Sequence, residues 1–307
     1  MRIVFMGTPE FAVASLDALV KAGFDVVGVI TAPDKPAGRG QKLSESAVKQ
    51  YAVANGLQVL QPEKLKNPEF LAELKALNAD LQVVVAFRML PEVVFSMPPK
   101  GTINLHASLL PNYRGAAPIN WAIINGEAQS GVTTFFLKQD IDTGDVLFSE
   151  SVTIKPDDTA GDLHDKLMAV GAELLVKTVK AIESGDYKEQ PQDAMTADGE
   201  LKHAPKIFKE DCLVDFNQPA EQVYNRIRGL SPYPTAHTLL NGKLLKIFKV
   251  ELLPGEPGIS AGGFLTDNKT YLKFACTDGL ISVTDIQLEG KKRMGVEEFL
   301  RGYSGFH

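Results

Sequence analysis

The sequence contains no apolar run approaching the ~18 residues that a membrane-spanning helix requires. Cysteine is scarce: Cys212 and Cys276 stand far apart, with no C-x-x-C and no metal-ligand spacing. That excludes a disulfide framework and fits reduced thiols in a cytoplasmic protein. The dinucleotide fingerprint G-x-G-x-x-G and the phosphate loop G-x-x-x-x-G-K-[ST] are both missing. Gly7 ends an early strand, but the following Thr8-Pro9-Glu10-Phe11 does not complete a nucleotide motif, so neither NAD nor ATP use is expected. Arg2 to Met6 enters that strand at once, without the basic and apolar regions of a secretory signal. Repeats and low-complexity segments are lacking as well. So is an excess of base: the net charge is −6, which argues against a general nucleic-acid binder. The part after Pro205 is close to neutral while the part before it is acidic. A polyanionic partner would have to meet local basic strips.

What the 307 residues do contain is an ordinary soluble composition, 44% hydrophobic and 23% charged, with room for two domains. Residues 2–6, 11–22 and 25–31 read as strand, helix and strand, a βαβ opening that implies a parallel sheet. Ser44 is placed to cap a helix running to about Asn55, and residues 57–60 follow as a strand. A helix over 67–78 has Pro68 at its first position. Residues 80–87 are almost continuously apolar, as the buried centre of a parallel sheet should be. Residues 160–184 predict a long amphipathic helix stopped at Gly185. Residues 187–206 lose periodicity and hold Pro191 and Pro205, so they read as a linker. From Ala236 onward short strands alternate with turns, Asn241-Gly242 being a hairpin signal, and a small β-barrel is expected. Lys243, Lys246 and Lys249, with Lys269, Lys273 and Lys291-Lys292-Arg293, supply basic strips or ordinary decoration of edge strands.

The chemistry concentrates in residues 101–145. Thr102 to His106 alternates as a strand does, so Asn104 and His106 project to one side. An amide and an imidazole at the carboxyl end of an α/β strand stand where such folds hold ligands. Taken alone, His106 also reads as a satisfied core histidine and Asn104 as a strand-end cap. Residues 116–125 predict a helix with Pro118 in its first turn, and 133–137 and 146–149 predict strands. Between those strands Asp140-Ile141-Asp142-Thr143-Gly144-Asp145 makes a turn that presents carboxylates. Ser108 lies near the histidine but lacks a G-x-S-x-G context, which rules against a hydrolase nucleophile. Residues 32–43 form a loop too long for an ordinary crossover, carrying Lys35, Arg39 and Lys42.

Asn104-x-His106, Ser108-Leu109-Leu110-Pro111 and Asp140-x-Asp142-Thr143-Gly144-Asp145 together resemble the folate-dependent formyltransferase superfamily. Pro36-Ala37-Gly38-Arg39-Gly40, and Asn225-x-Ile227-Arg228 before Pro232-x-Pro234, are similar to its tRNA-acting branch. The resemblance covers nearly the whole chain. It implies a Rossmann-like formyltransferase domain over 1–189, a linker over 190–206, and an OB-like tRNA-binding barrel over 207–307. The reaction implied moves the formyl group of 10-formyltetrahydrofolate to the amino group of methionine on initiator tRNA, for translation initiation. Asn104, His106 and Asp142 match the catalytic positions. Phe87, Arg88, Met89 and Leu90, with Ser108 to Pro111 and Asp140, match the folate-binding positions. Arg39, Lys42, Lys246 and Lys249 are expected to meet tRNA. No metal and no membrane is implied, and a monomer is expected. The stretch Phe87-Arg88-Met89-Leu90-Pro91 departs from the branch, which mostly carries Ala-Tyr-Gly and one more residue there. Two other readings share these motifs: a formyltransferase acting on a small amine, and an RNA-binding protein on a formyltransferase scaffold without activity.

Overall fold

A computed structural model describes residues 1–37, 42–195, 200–303 and 305. The chain forms two compact units, one from residues 1–115, 131–152 and 164–202, the other from 116–130, 153–163 and 203–307.

The first unit is built on a seven-stranded sheet. Its spatial order is Val146–Thr153, Gln129–Phe136, Thr102–His106, Leu81–Val85, Arg2–Gly7, Asp25–Ile30 and Val59–Leu60. The last five of these run parallel, and Gln129–Phe136 adds antiparallel to Thr102–His106. The order reverses between Arg2–Gly7 and Leu81–Val85, which makes the carboxyl ends of the central strands the place for a ligand. Leu81–Val85 is buried along its length, as its unbroken apolar run requires. One face packs Val4, Met6, Ile30 and Val84 against Phe70 and Leu74 of helix Pro68–Ala76 and Val94 of helix Glu92–Phe95. On the other face Leu105 lies against Gly171 of helix Ala160–Ser184, and Thr134 Oγ1 stands 2.8 Å from Thr178 Oγ1 of the same helix. Gly7 owes its identity to packing, since a Cβ there would stand 2.6 Å from that of Ala12 in helix Glu10–Lys21. The second helix is Ala47–Ala54 and its cap is Ser46, which accepts from Lys49 N at 3.0 Å, rather than Ser44. Thr31 Oγ1, 2.7 Å from Ser46 Oγ, fixes that choice.

The second unit carries a curled antiparallel sheet, a half-barrel in the order Ala236–Leu240, Lys243–Pro254, Gly279–Leu288, Leu272–Ala275 and Phe264–Thr266. Met294–Gly295 pairs beside Gly279–Leu288. Helix Ala220–Gly229 closes its inner face, with Val223 and Ile227 among Leu245, Ile247, Phe274 and Ile281. Helix Pro118–Ile124 packs on that helix: Asn120 Nδ2 donates to Gly229 O at 2.8 Å, and the Arg226 guanidinium lies 5.5 Å from the Trp121 ring. The turn at Asn241 and Gly242 has φ of 49° and 76°, the left-handed pair a two-residue hairpin demands. No helix among the described residues is long and apolar enough to cross a membrane.

Candidate active site

His106 ends the strand Thr102–His106 and is buried. Its Nε2 lies 2.9 Å from Tyr113 O. A carbonyl only accepts, so Nε2 carries the hydrogen of that bond. Nδ1 faces Asp142 Oδ2 at 3.8 Å, beyond hydrogen-bond length. A neutral imidazole of this tautomer turns a lone pair toward the carboxylate, and only a proton on Nδ1 makes the two attract. Asn104, two residues back on the same strand, is half-buried. Among the described residues no hydrogen bond is made by its side-chain amide. Asn104 and His106 thus share one central strand, which His106 ends, and Asp142 faces His106 from the turn that follows Gln129–Phe136.

Asp142 is held from several sides. Gly115 N donates to its Oδ2 at 3.0 Å, and Gln192 Nε2 donates to its backbone carbonyl at 2.8 Å. Both Asp142 and Tyr113 take left-handed backbone conformations, with φ of 55° and 61°. Asp tolerates that region through its short polar side chain, whereas a tyrosine there is a local outlier of the kind that accompanies functional sites. The turn lies hard against the preceding strand: a Cβ on Gly144 would come within 1.6 Å of Phe136 O.

The residues expected to hold folate lie in the segments that follow strands Leu81–Val85, Thr102–His106 and Gln129–Phe136. The backbone groups of residues 87–90 make no hydrogen bond among the described residues. Phe87 is half-buried, Leu90 joins the core and Met89 is 69% exposed. Arg88 is committed elsewhere: its guanidinium donates to Glu63 O at 2.8 Å and to Pro62 O, and burial lowers its pKa. Ser108 is fully buried and donates to Asn112 O at 2.7 Å. Thr133 Oγ1 secures the same segment, donating to Ser108 O at 2.7 Å and accepting from Leu110 N at 3.2 Å. Leu110 and Pro111 are buried, Leu109 half-buried, and Asp140 is exposed with its carbonyl accepting from Thr143 Oγ1 at 3.0 Å.

Of the expected tRNA contacts, Arg39 lies outside the described residues. Lys42 belongs to the strand Lys42–Ser44, which pairs with Lys35–Ala37. The base of that hairpin is fixed by Lys49, which pairs with Asp34 and, at 2.9 Å, with Glu45. Asp34 also accepts from Gln61 at 2.7 Å, and the Lys49 and Gln61 bonds together lower its pKa. Lys246 and Lys249 are exposed on Lys243–Pro254. Three residues apart, they would fall on opposite faces of a regular strand. Register shifts around Lys249 pair it with Asp285 while Lys246 pairs with Gln287, so the two lysines share a face. Tyr113, Gly115 and Gln192 are contacts that sequence reasoning missed.

This sheet, with its switch point, is the scaffold of a recognised class of enzymes. The family model described as "Formyl transferase" matches residues 1–179, and "Formyl transferase, C-terminal domain" matches 206–304. The chain belongs to the formyl transferase family. Over 308 residues it is 55% identical to the methionyl-tRNA formyltransferase of Bacteroides fragilis, covering 99% of this chain and 95% of that protein. The methionyl-tRNA formyltransferase of Flavobacterium johnsoniae is 53% identical over 306 residues, covering 98% and 96%. Among solved structures, an N-formyltransferase from Helicobacter canadensis in complex with folinic acid and dTDP-3-aminofucose is similar with a TM-score of 0.66. It is 23% identical, over 92% of this chain and 98% of that one, a likeness of fold.

Proposed function

We propose that this protein transfers the formyl group of 10-formyltetrahydrofolate to the amino group of methionyl-initiator tRNA, supplying formylmethionyl-tRNA for translation initiation. One arrangement carries the reading: His106 Nδ1 faces the Asp142 carboxylate at 3.8 Å, with Asn104 on the same strand, in a chain 55% identical to a methionyl-tRNA formyltransferase over its length.

The neutral amine of the methionyl ester attacks the formyl carbon, whose oxygen becomes anionic in a tetrahedral intermediate. Asn104 donates an amide N–H to that oxygen, and a proton on His106 Nδ1 supplies a second donor. The attacking nitrogen becomes cationic and gives up its proton to Asp142, directly or through one water. The bond from the formyl carbon to N10 of the folate then breaks, and N10 takes the proton that Asp142 received, directly or through one water, as tetrahydrofolate leaves. The backbone of residues 87–90, which makes no hydrogen bond among the described residues, supports a pterin site there beside Phe87 and Leu90, and Ser108 to Pro111 with Asp140 form its other side. Because the Arg88 guanidinium is spent on Pro62 and Glu63, that segment would serve through its backbone and Phe87.

Chemistry and tRNA contact divide along the chain, residues 1–189 acting on the formyl group and 207–307, beyond a linker, on the tRNA backbone. Arg39 and Lys42 would hold the acceptor end, and Lys246 and Lys249 would add phosphate contacts farther along. The protein works as a monomer in the cytoplasm, where Cys212 and Cys276 stay free and buried. The test is a turnover assay with 10-formyltetrahydrofolate and three acceptors: methionyl-initiator tRNA, uncharged tRNA and a dTDP-amino sugar. Formylation of the charged tRNA alone is expected. Turnover of the amino sugar, or of none, contradicts the proposal.

A further inference from the structure

Gln192 lies fifty residues beyond Asp142, at the start of the short 3₁₀ turn Gln192–Ala194, and only 2% of it is exposed. Its amide uses its full hydrogen-bonding capacity. Oε1 accepts from Arg114 Nε at 2.9 Å and from Arg114 Nη2 at 2.7 Å. Nε2 donates to Asp142 O and to Gly144 O, each at 2.8 Å. The two carbonyls belong to the carboxylate turn, and the guanidinium belongs to the segment that holds His106. In that segment Tyr113 O receives His106 Nε2, Arg114 reaches Gln192, and Gly115 N donates to Asp142 Oδ2.

We infer that Gln192 is a positioning residue for formyl transfer, setting the distance between His106 and Asp142 by clamping the Asp142 turn to the segment that holds the imidazole. This rests on the reading of Asp142 given above. A plain attachment of the linker does not account for these four bonds. The linker backbone is already attached at Gln190, which exchanges two 2.9 Å hydrogen bonds with Val146, and Met195 packs beside Leu110, Phe135 and Val146. Asp142 sits in a left-handed conformation, and among the described residues its carbonyl has no backbone donor, so the Gln192 amide supplies the partner that this carbonyl needs. The 3.8 Å gap between Nδ1 and Oδ2 is about one ångström longer than a hydrogen bond, and small displacements of the turn decide whether it closes. A glutamate at 192 would still receive Arg114, yet a carboxylate only accepts and would face two carbonyls. It therefore separates the two halves of the clamp at nearly constant volume.

The experiment is a double-mutant cycle on the full chain with Q192E and D142N, supported by Q192L. Thermal denaturation and 10-formyltetrahydrofolate binding report the fold. In the wild-type background Q192E and Q192L should lower kcat by about ten- to a hundred-fold, as misplacement of a reacting group does, with folate KM within about twofold. The pH profile of kcat should move in Q192E. In the D142N background Q192E should cost less than about twofold and leave the profile where D142N put it. Independent, multiplying losses overturn the inference, as does an unchanged kcat in both variants at Gln192. Failure of both variants to fold would make Gln192 a structural staple and overturn it as well. A D142N enzyme of wild-type rate would overturn the reading of Asp142 itself, a different failure from an additive cycle.

Discussion

His106 offers its two ring nitrogens to different partners: Nε2 to Tyr113 O at 2.9 Å, and Nδ1 toward Asp142 Oδ2 at 3.8 Å. The backbone contact fixes the ring, so the one nitrogen available for proton exchange is the one that faces the carboxylate. The rest of the site serves that orientation. Gly115 and Gln192 hold Asp142, and Thr133 holds the loop that leads from the strand to Tyr113.

Ser108 tests the distinction between chemistry and scaffold. Its hydroxyl is fully buried and bonded to Asn112 O, so Ser108→Ala should lose one net hydrogen bond, about 1 kcal/mol. Denaturant unfolding should show that loss while kcat stays within about threefold of wild type. A hundred-fold fall in kcat with unchanged stability would give Ser108 a role that the geometry does not support.

Tyr51 predicts a pH effect remote from the site. Its phenol is pushed up from 10.0 to about 12, by burial first and by the 3.0 Å bond it donates to Asp17 second. The folded state holds this proton more tightly than the unfolded chain. The contribution to stability is therefore full below pH about 10 and disappears as the pH rises through about 12. Ultraviolet titration of phenol ionisation should lose a late-titrating group in Tyr51→Phe, although Tyr224, raised mainly by burial, remains. An unchanged late titration in that variant would contradict the assignment.

Lys246 and Lys249 should act on tRNA through charge alone. Both are exposed on one face of the half-barrel, and Asp285 beside Lys249 is paired with Arg293 at 2.5 Å. Removing either lysine should reduce the slope of log K against log salt by about one, and removing both by about two. Equilibrium tRNA binding across a salt series measures this. An unchanged slope in the double variant would leave the face without that role.

Two local rules make the pieces of this candidate site legible in the sequence, and the family resemblance is what joins them. Strand alternation puts Asn104 and His106 on one side, and Asp-Ile-Asp-Thr-Gly-Asp announces a rigid turn. Helical periodicity with a stop at Gly185 locates helix Ala160–Ser184, and Asn241-Gly242 announces its hairpin. What escapes them is set by distant partners. Ser44 and Ser46 are equal as helix caps until Thr31 reaches Ser46. The β-prone composition of Gln129–Phe136 does not say that it runs antiparallel to Thr102–His106. The packing of helix Pro118–Ile124 on Ala220–Gly229 joins segments about a hundred residues apart. Gln192 lies in a stretch with no periodicity, and its bonds go to backbone carbonyls that leave no mark on composition.

The most direct test of the account is single-turnover formylation at saturating 10-formyltetrahydrofolate and methionyl-initiator tRNA, comparing wild type with His106→Ala, Asn104→Ala and Asp142→Asn. Both ligands are bound before the reaction starts, so the rate reports the chemical step and not affinity. Each variant should bind both ligands and react about 10²- to 10⁴-fold more slowly, the range for acid–base and oxyanion groups. A folded His106→Ala protein that formylates at a rate close to wild type would contradict a catalytic role for His106.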